Sequence, residues 1–193
     1  MLYYLLRSIS WFICKTLFNI KTEGIKNLPA DNKIIIVVNH ASYLDAVALS
    51  VAIPKKIRWV IRKDVYNVWW IKWLFFLTGM IPENGAVASS LSYLESGDTI
   101  GVFPEGTRSW DGKLQAGKKG VAVLALKTGA FVIPCAIRGS FEAYPRTALL
   151  PRPHAVKVKI GSPLRFEKAE APDEAMVDSV LDKIMSAIRS LME

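Results

Sequence analysis

His40, followed five residues later by Asp45, is the combination in this chain best suited to moving a proton. A carboxylate held near an imidazole fixes one ring tautomer and leaves the other ring nitrogen free to accept a proton. A second segment, Phe103-Pro104-Glu105-Gly106-Thr107-Arg108-Ser109, places a carboxylate and a guanidinium on either side of a turn. Arg108 is the best anion ligand of the chain, because its planar fork can grip phosphate or carboxylate through two bonds. Gly106 lets the backbone come close to a ligand. Glu105 is expected either to orient Arg108 or to bind a substrate hydroxyl. Lys118 and Lys119 add positive charge that can meet a phosphate at the start of a predicted helix. Neither Ser42 nor Ser109 is needed as a nucleophile, since the first reads as a helix N-cap and the second as a residue following a turn. A base with its orienting carboxylate and no protein nucleophile points to a proton taken from a substrate hydroxyl, which then attacks an electrophile directly.

These residues need elements to carry them. Each of the two segments follows a short apolar run that reads as a buried strand, residues 33–38 and residues 99–103. Loops leaving strand ends are where α/β folds keep their chemistry. Further strands are predicted at 57–61, 131–137 and 155–160, and helices at 42–52, 65–77, 86–95, 117–127 and 173–191. Ser42 with Asp45 three residues on resembles a capping box, which puts His40 just before a helix and the carboxylate in its first turn. Strands alternating with helices predict a single α/β domain with a central, mostly parallel or mixed sheet flanked by helices. Prolines 145, 151 and 153 make residues 140–154 a loop. Residues 23–193 form this domain, and residues 1–22 form an N-terminal membrane-associating helix.

Composition narrows the partners. At 193 residues, with 51% hydrophobic residues and a formal net charge of +8, the chain can bury a core and favours anionic partners. The basic residues are scattered and no nucleic-acid-binding signature occurs, so anionic lipid or a phosphate-bearing substrate is preferred over nucleic acid. Residues 1–20 are apolar and aromatic but broken by Arg7 and Lys15, which leaves stretches too short to span a bilayer. A helix lying in the membrane interface, with Arg7, Ser8 and Lys15 on a polar stripe, is the preferred reading; a signal-anchor and a helix packed on the domain are the alternatives. The run 68–77, with three tryptophans, reads as a buried helix or a second membrane contact. Cys14 and Cys135 read as buried small hydrophobes, and with only two histidines no metal site is expected.

Taken together, the blocks resemble those of the glycerolipid acyltransferase family, whose bacterial members include lysophosphatidate acyltransferases. The N-H-x-x-x-x-D block is matched by Asn39, His40 and Asp45, and the F-P-E-G-T-R-S block residue for residue from Phe103 to Ser109. An apolar V-I-P-x-x-I-x-G block is matched by Val132, Ile133, Pro134, Ile137 and Gly139. The resemblance covers residues 24–165. It implies His40 and Asp45 as the catalytic pair, and acceptor binding through Glu105, Gly106, Thr107 and Arg108. It also implies acyl-CoA or acyl-carrier protein as co-substrate with no further cofactor, and a lysolipid, lysophosphatidate by default, as acceptor. The expected location is the cytoplasmic face of the membrane, peripheral or monotopic. One block departs from the family pattern: Gly85 stands where a phosphate-binding arginine is usual, which leaves a non-phosphate lysolipid as an alternative acceptor. A non-catalytic lipid-binding module and a thioester hydrolase are the remaining alternatives.

Overall fold

The computed structural model describes residues 2–30, 33–62 and 79–193. The predicted helix at 65–77 and the tryptophan run at 68–77 lie outside the described residues. Among those described, seven strands form one mixed sheet in the order β1-β7-β6-β2-β5-β3-β4. They are β1 (Lys21–Glu23), β2 (Ile34–Val38), β3 (Ile57–Ile61), β4 (Ile81–Pro82), β5 (Thr99–Val102), β6 (Phe131–Arg138) and β7 (Lys157–Ile160). All neighbouring pairs run parallel except β6 and β7. The helices are α1 (Leu2–Leu17), α2 (Leu44–Ala52), α3 (Ala86–Glu95), α4 (Gly120–Thr128), α5 (Ser140–Ala143) and α6 (Glu174–Met192).

The centre of the sheet explains its sequence. β2 is five apolar residues, all buried, because helices cover both faces of a parallel strand. Ile34, Ile36 and Val38 join one core cluster with Cys14 and Phe18 beside α1 and Ala48, Leu49 and Val51 of α2. Ile35 and Val37 join the other, with Leu94 of α3, Val121 to Leu126 of α4 and Val177, Val180, Ile184 and Ile188 of α6. The Asp173 side chain caps α6 by accepting from the Met176 N–H at 2.8 Å, and the buried stripe behind it follows the helical period.

The predicted strands and helices within the described residues are present, with ends shifted by at most three residues except in the N-terminal helix, which stops at Leu17 rather than at residue 22. Four elements were not predicted, one of them a short 3-10 turn at Ile25–Asn27. β1 crosses the boundary drawn between residues 22 and 23; its three residues are polar and exposed, so no apolar pattern marks it. β4 has only two residues, and α5 is a single turn inside the stretch read as loop.

The N-terminal helix corrects one expectation. Arg7 is not on an outward polar stripe: its Nε donates to the Ser50 carbonyl at 3.0 Å, and Nη2 to that of Val51 at 3.4 Å, at the end of α2. A helix end leaves such carbonyls without intrahelical donors, and the guanidinium supplies them. Cys14, with Phe18 just past the helix end, is buried in the core, so α1 is packed on the domain. Its opposite side is apolar too: Leu5, Ile9, Phe12, Ile13 and Leu17 expose 43% to 64% of their surface. Among the described residues, no helix is long and apolar enough to cross a membrane.

Candidate active site

β2 and β5 are parallel neighbours, with Val37 paired to Val102. Their carboxyl ends therefore release the two chemistry-bearing loops side by side. The loops are stitched together at His40. Its backbone N–H donates to Glu105 Oε1 at 2.6 Å, and its carbonyl accepts from the Ser109 N–H at 2.8 Å. Asn39 is buried and extends the β2–β6 pairing with its side chain: Nδ2 donates to the Ile137 carbonyl at 3.0 Å, and Oδ1 accepts from the Ile137 N–H at 2.8 Å. Both Asn39 contacts are structural.

Asp45 is fully buried in the first turn of α2. Its Oδ2 accepts from the backbone N–H groups of Ala41 at 2.7 Å and Ser42 at 2.8 Å, and meets His40 Nδ1 at 2.8 Å. A carboxylate only accepts, so Nδ1 carries the ring proton and Nε2 is the basic nitrogen. The cap position of α2 is Tyr43 rather than Ser42, although half of the expected reciprocity survives. Asp45 reaches back to the Ser42 N–H, while Ser42 Oγ accepts from Leu44 N–H at 3.1 Å and donates to the Tyr144 carbonyl at 2.8 Å. The imidazole plane is also fixed. It stacks on Phe103 at 3.8 Å between centroids, and Phe103 stacks on Trp59 at 4.8 Å. Such ring pairs each contribute about 0.5–1.5 kcal/mol beyond their burial.

His40 lines a cavity of about 670 Å³ with Tyr43, Val60, Ile61, Met80, Gly85, Val87, Ser90, Val102, Gly106, Thr107, Arg108, Lys118, Val121, Leu124 and Arg146. Gly106, Thr107, Arg108 and Lys118 are thus brought together with His40 around one space. Gly106 has φ of 69°, which a glycine adopts without strain, and a Cβ there would lie 2.5 Å from the Lys118 side chain. Lys118 pairs with Glu83 at 3.2 Å, whereas Lys119 turns away to Glu174 and Asp178 beside α6. The Arg108 guanidinium lies over the Tyr43 ring, 3.5 Å from its centroid. Burial lowers its pKa from the ordinary value, with Tyr43 opposing and Arg146 reinforcing that shift.

Glu105 stands apart from the expected arrangement. It neither contacts Arg108 nor lines the cavity: Oε1 is taken by His40 N–H and Oε2 by Gln115 N–H at 3.0 Å. Burial lifts its carboxyl to about 7; the two backbone donors oppose that rise and nearby Asp45 adds to it. A turn carboxylate that braces another loop leaves no signature in sequence, because its partners are 65 and 10 residues away. Ser109 Oγ is engaged with Asp111 and Ser42 Oγ with Tyr144, so neither hydroxyl is offered to the imidazole. Cys14 and Cys135 are buried and their thiols pushed up by burial. Among the described residues, no three His, Cys, Asp or Glu side chains gather as metal ligands.

The family profile described as Acyltransferase matches residues 19–138, which span β1 to β6 and both loops of the site. The chain belongs to the acyltransferase family. It is 30% identical over 163 residues to the chloroplastic 1-acyl-sn-glycerol-3-phosphate acyltransferase of Arabidopsis thaliana, covering 79% of this chain and 46% of that protein. With the 1-acyl-sn-glycerol-3-phosphate acyltransferase of Bacillus subtilis it shares 26% identity over 181 residues, 89% of this chain and 87% of that one. This acyltransferase-family chain therefore spans about half the length of the plant relatives it matches. Its fold is that of the 1-acyl-sn-glycerophosphate acyltransferase PlsC of Thermotoga maritima, with a TM-score of 0.81, 24% identity and coverage of 98% of this chain and 79% of that one.

Proposed function

We propose that this chain transfers a fatty acyl group from an acyl thioester, acyl-CoA or acyl-carrier protein, to a hydroxyl of a lysolipid. The observation carrying this reading is a base–carboxylate pair opening onto a largely apolar cavity rimmed by Arg108. The acceptor hydroxyl attacks the thioester carbonyl while His40 Nε2 takes its proton. The tetrahedral intermediate collapses with cleavage of the C–S bond, and the imidazolium returns the proton to the departing thiolate. Asp45 holds the Nδ1–H tautomer and balances the transient positive charge. Valine, isoleucine and leucine side chains along the cavity suit an acyl chain, and Arg108 and Lys118 suit an anionic head group. Glu105 acts as a positioning residue that fixes the backbone of His40. The named relatives favour lysophosphatidate as acceptor. Incubating the purified protein with labelled acyl-CoA and a panel of lysolipids tests the reading; transfer to none of them would overturn it.

Membrane association at the cytoplasmic face belongs to the same proposal, through the outward apolar side of α1. Because Cys14 and Phe18 are part of the core, deleting residues 1–20 would damage the domain, and surface substitution is the sharper test. Replacing Ile9, Phe12 and Ile13 by Ser should lower co-sedimentation with anionic vesicles by more than about tenfold while the domain stays folded. Unchanged binding would place the anchor elsewhere.

A further inference from the structure

Besides Arg108 and Arg62, the guanidinium of Arg146 reaches the cavity from a third loop. β6 is followed by α5 and then by a segment tied down at both ends. The Tyr144 carbonyl accepts from Ser42 Oγ, and Arg152 donates from its backbone to Ala143 at 2.8 Å and from Nε to Glu142 at 2.7 Å. Between these ties, Arg146 is set over the Trp110 ring, 4.0 Å from its centroid. Its Nη1 donates to Thr107 Oγ1 at 3.4 Å and to the Arg108 carbonyl at 3.3 Å. Both bonds come from one nitrogen, so most of the five N–H donors of the fork remain available. Arg146 and Arg108 line the same cavity as His40, and each is seated on an aromatic ring. Neither has a carboxylate partner among the described residues, in contrast to Lys118, which has Glu83. Two like charges gathered at a half-buried rim repel one another unless an anion lies between them.

We propose that Arg146 and Arg108 form a two-guanidinium clamp for a phosphate monoester carried by a substrate of the acyl transfer described above. Two guanidinium forks that line one cavity from different loops match the several acceptor oxygens and the double charge of such a group, which a single arginine would only half neutralise. Trp110 and Thr107 are positioning residues for Arg146. The inference rests on the proposed acyltransferase reading, and it adds to Arg108 and Lys118 a guanidinium from the loop after α5, a place that none of the sequence blocks marks.

The test uses substrate pairs that differ only in the phosphate. As acceptors these are lysophosphatidate and the monoacylglycerol of the same chain; as donors, acyl-CoA and its 3′-dephospho form. Arg146→Ala should raise KM for the phosphate-bearing member of one pair by about 10- to 100-fold, with kcat within about threefold and the phosphate-free member unchanged. The pair that responds identifies whether the clamped phosphate is the acceptor's or the donor's. Arg146→Lys, which keeps the charge but not the fork, should fall between wild type and Arg146→Ala. Calorimetric binding of glycerol 3-phosphate, with glycerol as control, is read in parallel on the same proteins. Equal effects on both members of each pair, or no effect with an unchanged melting temperature, would overturn the clamp. If wild type transfers no acyl group, the acyltransferase reading fails. Arg146-dependent binding of glycerol 3-phosphate but not glycerol would then still support the phosphate site, and its absence would overturn it.

Discussion

Two sides of one cavity are built in opposite ways. Around His40 most polar groups are spent internally: Asp45 Oδ2 receives three N–H groups although its Oδ1 is buried without a partner among the described residues, both Glu105 oxygens receive one each, and Asn39 saturates Ile137. At the rim of the same cavity Arg108 and Arg146 rest on exposed aromatic rings and keep donors in reserve. The first arrangement holds a base in one tautomer and one orientation, which proton transfer requires. The second leaves charge uncompensated, which is useful only to a molecule that arrives with the opposite sign. Damage to the first side should therefore appear in kcat, and damage to the second in KM.

The largest expected effect is at the base. His40→Ala should lower kcat by about 10³- to 10⁴-fold, with little change in melting temperature, as followed by steady-state transfer and thermal unfolding. Asp45→Asn should cost less, about 10²- to 10³-fold in kcat, because an amide no longer dictates the Nδ1–H tautomer. A large rise in acceptor KM with unchanged kcat in either variant would break the division between the two sides.

Glu105 sharpens the comparison through pH. Its folded-state carboxyl is raised from an ordinary 4.5 to about 7, so its favourable contribution to stability is complete below the lower value. That contribution is lost as pH rises through the upper value. The melting temperature of wild type relative to Glu105→Gln should therefore fall between pH 5 and pH 8. A difference that stays flat or grows across that window would contradict the burial argument. The smallest effect belongs to Gly85→Arg on the rim. Space around Gly85 is open, but its φ of 72° strains any larger residue, so a phosphorylated acceptor should gain only about two- to fivefold in KM.

How much of this was readable from residue order depends on distance along the chain. β2 and β5 announce themselves because a strand buried on both faces is a continuous apolar run, and His40 with Asp45 is a local pair within one strand-to-helix turn. Gly106, Thr107 and Arg108 are neighbours in the chain, and the structure sets them with Lys118 around one cavity. What escaped is long-range or lacks a pattern. Phe103 stacking on His40, Glu105 bracing its backbone, Arg7 capping α2 and Arg146 reaching the rim join segments that only the sheet order brings together. β1 and β4 are too short and too polar or too few in residues to show periodicity.

The central claim is that His40 activates the acceptor hydroxyl for direct attack, with no acyl group resting on the protein. Thiol release from acyl-CoA, followed by rapid quench at enzyme concentrations comparable to substrate, tests it most directly. Free thiol should appear in wild type only when a lysolipid acceptor is present, in step with product and with no label left on the protein, and His40→Ala should abolish it. A burst of thiol equal to the enzyme in the absence of acceptor, with label retained on the chain, would contradict the account.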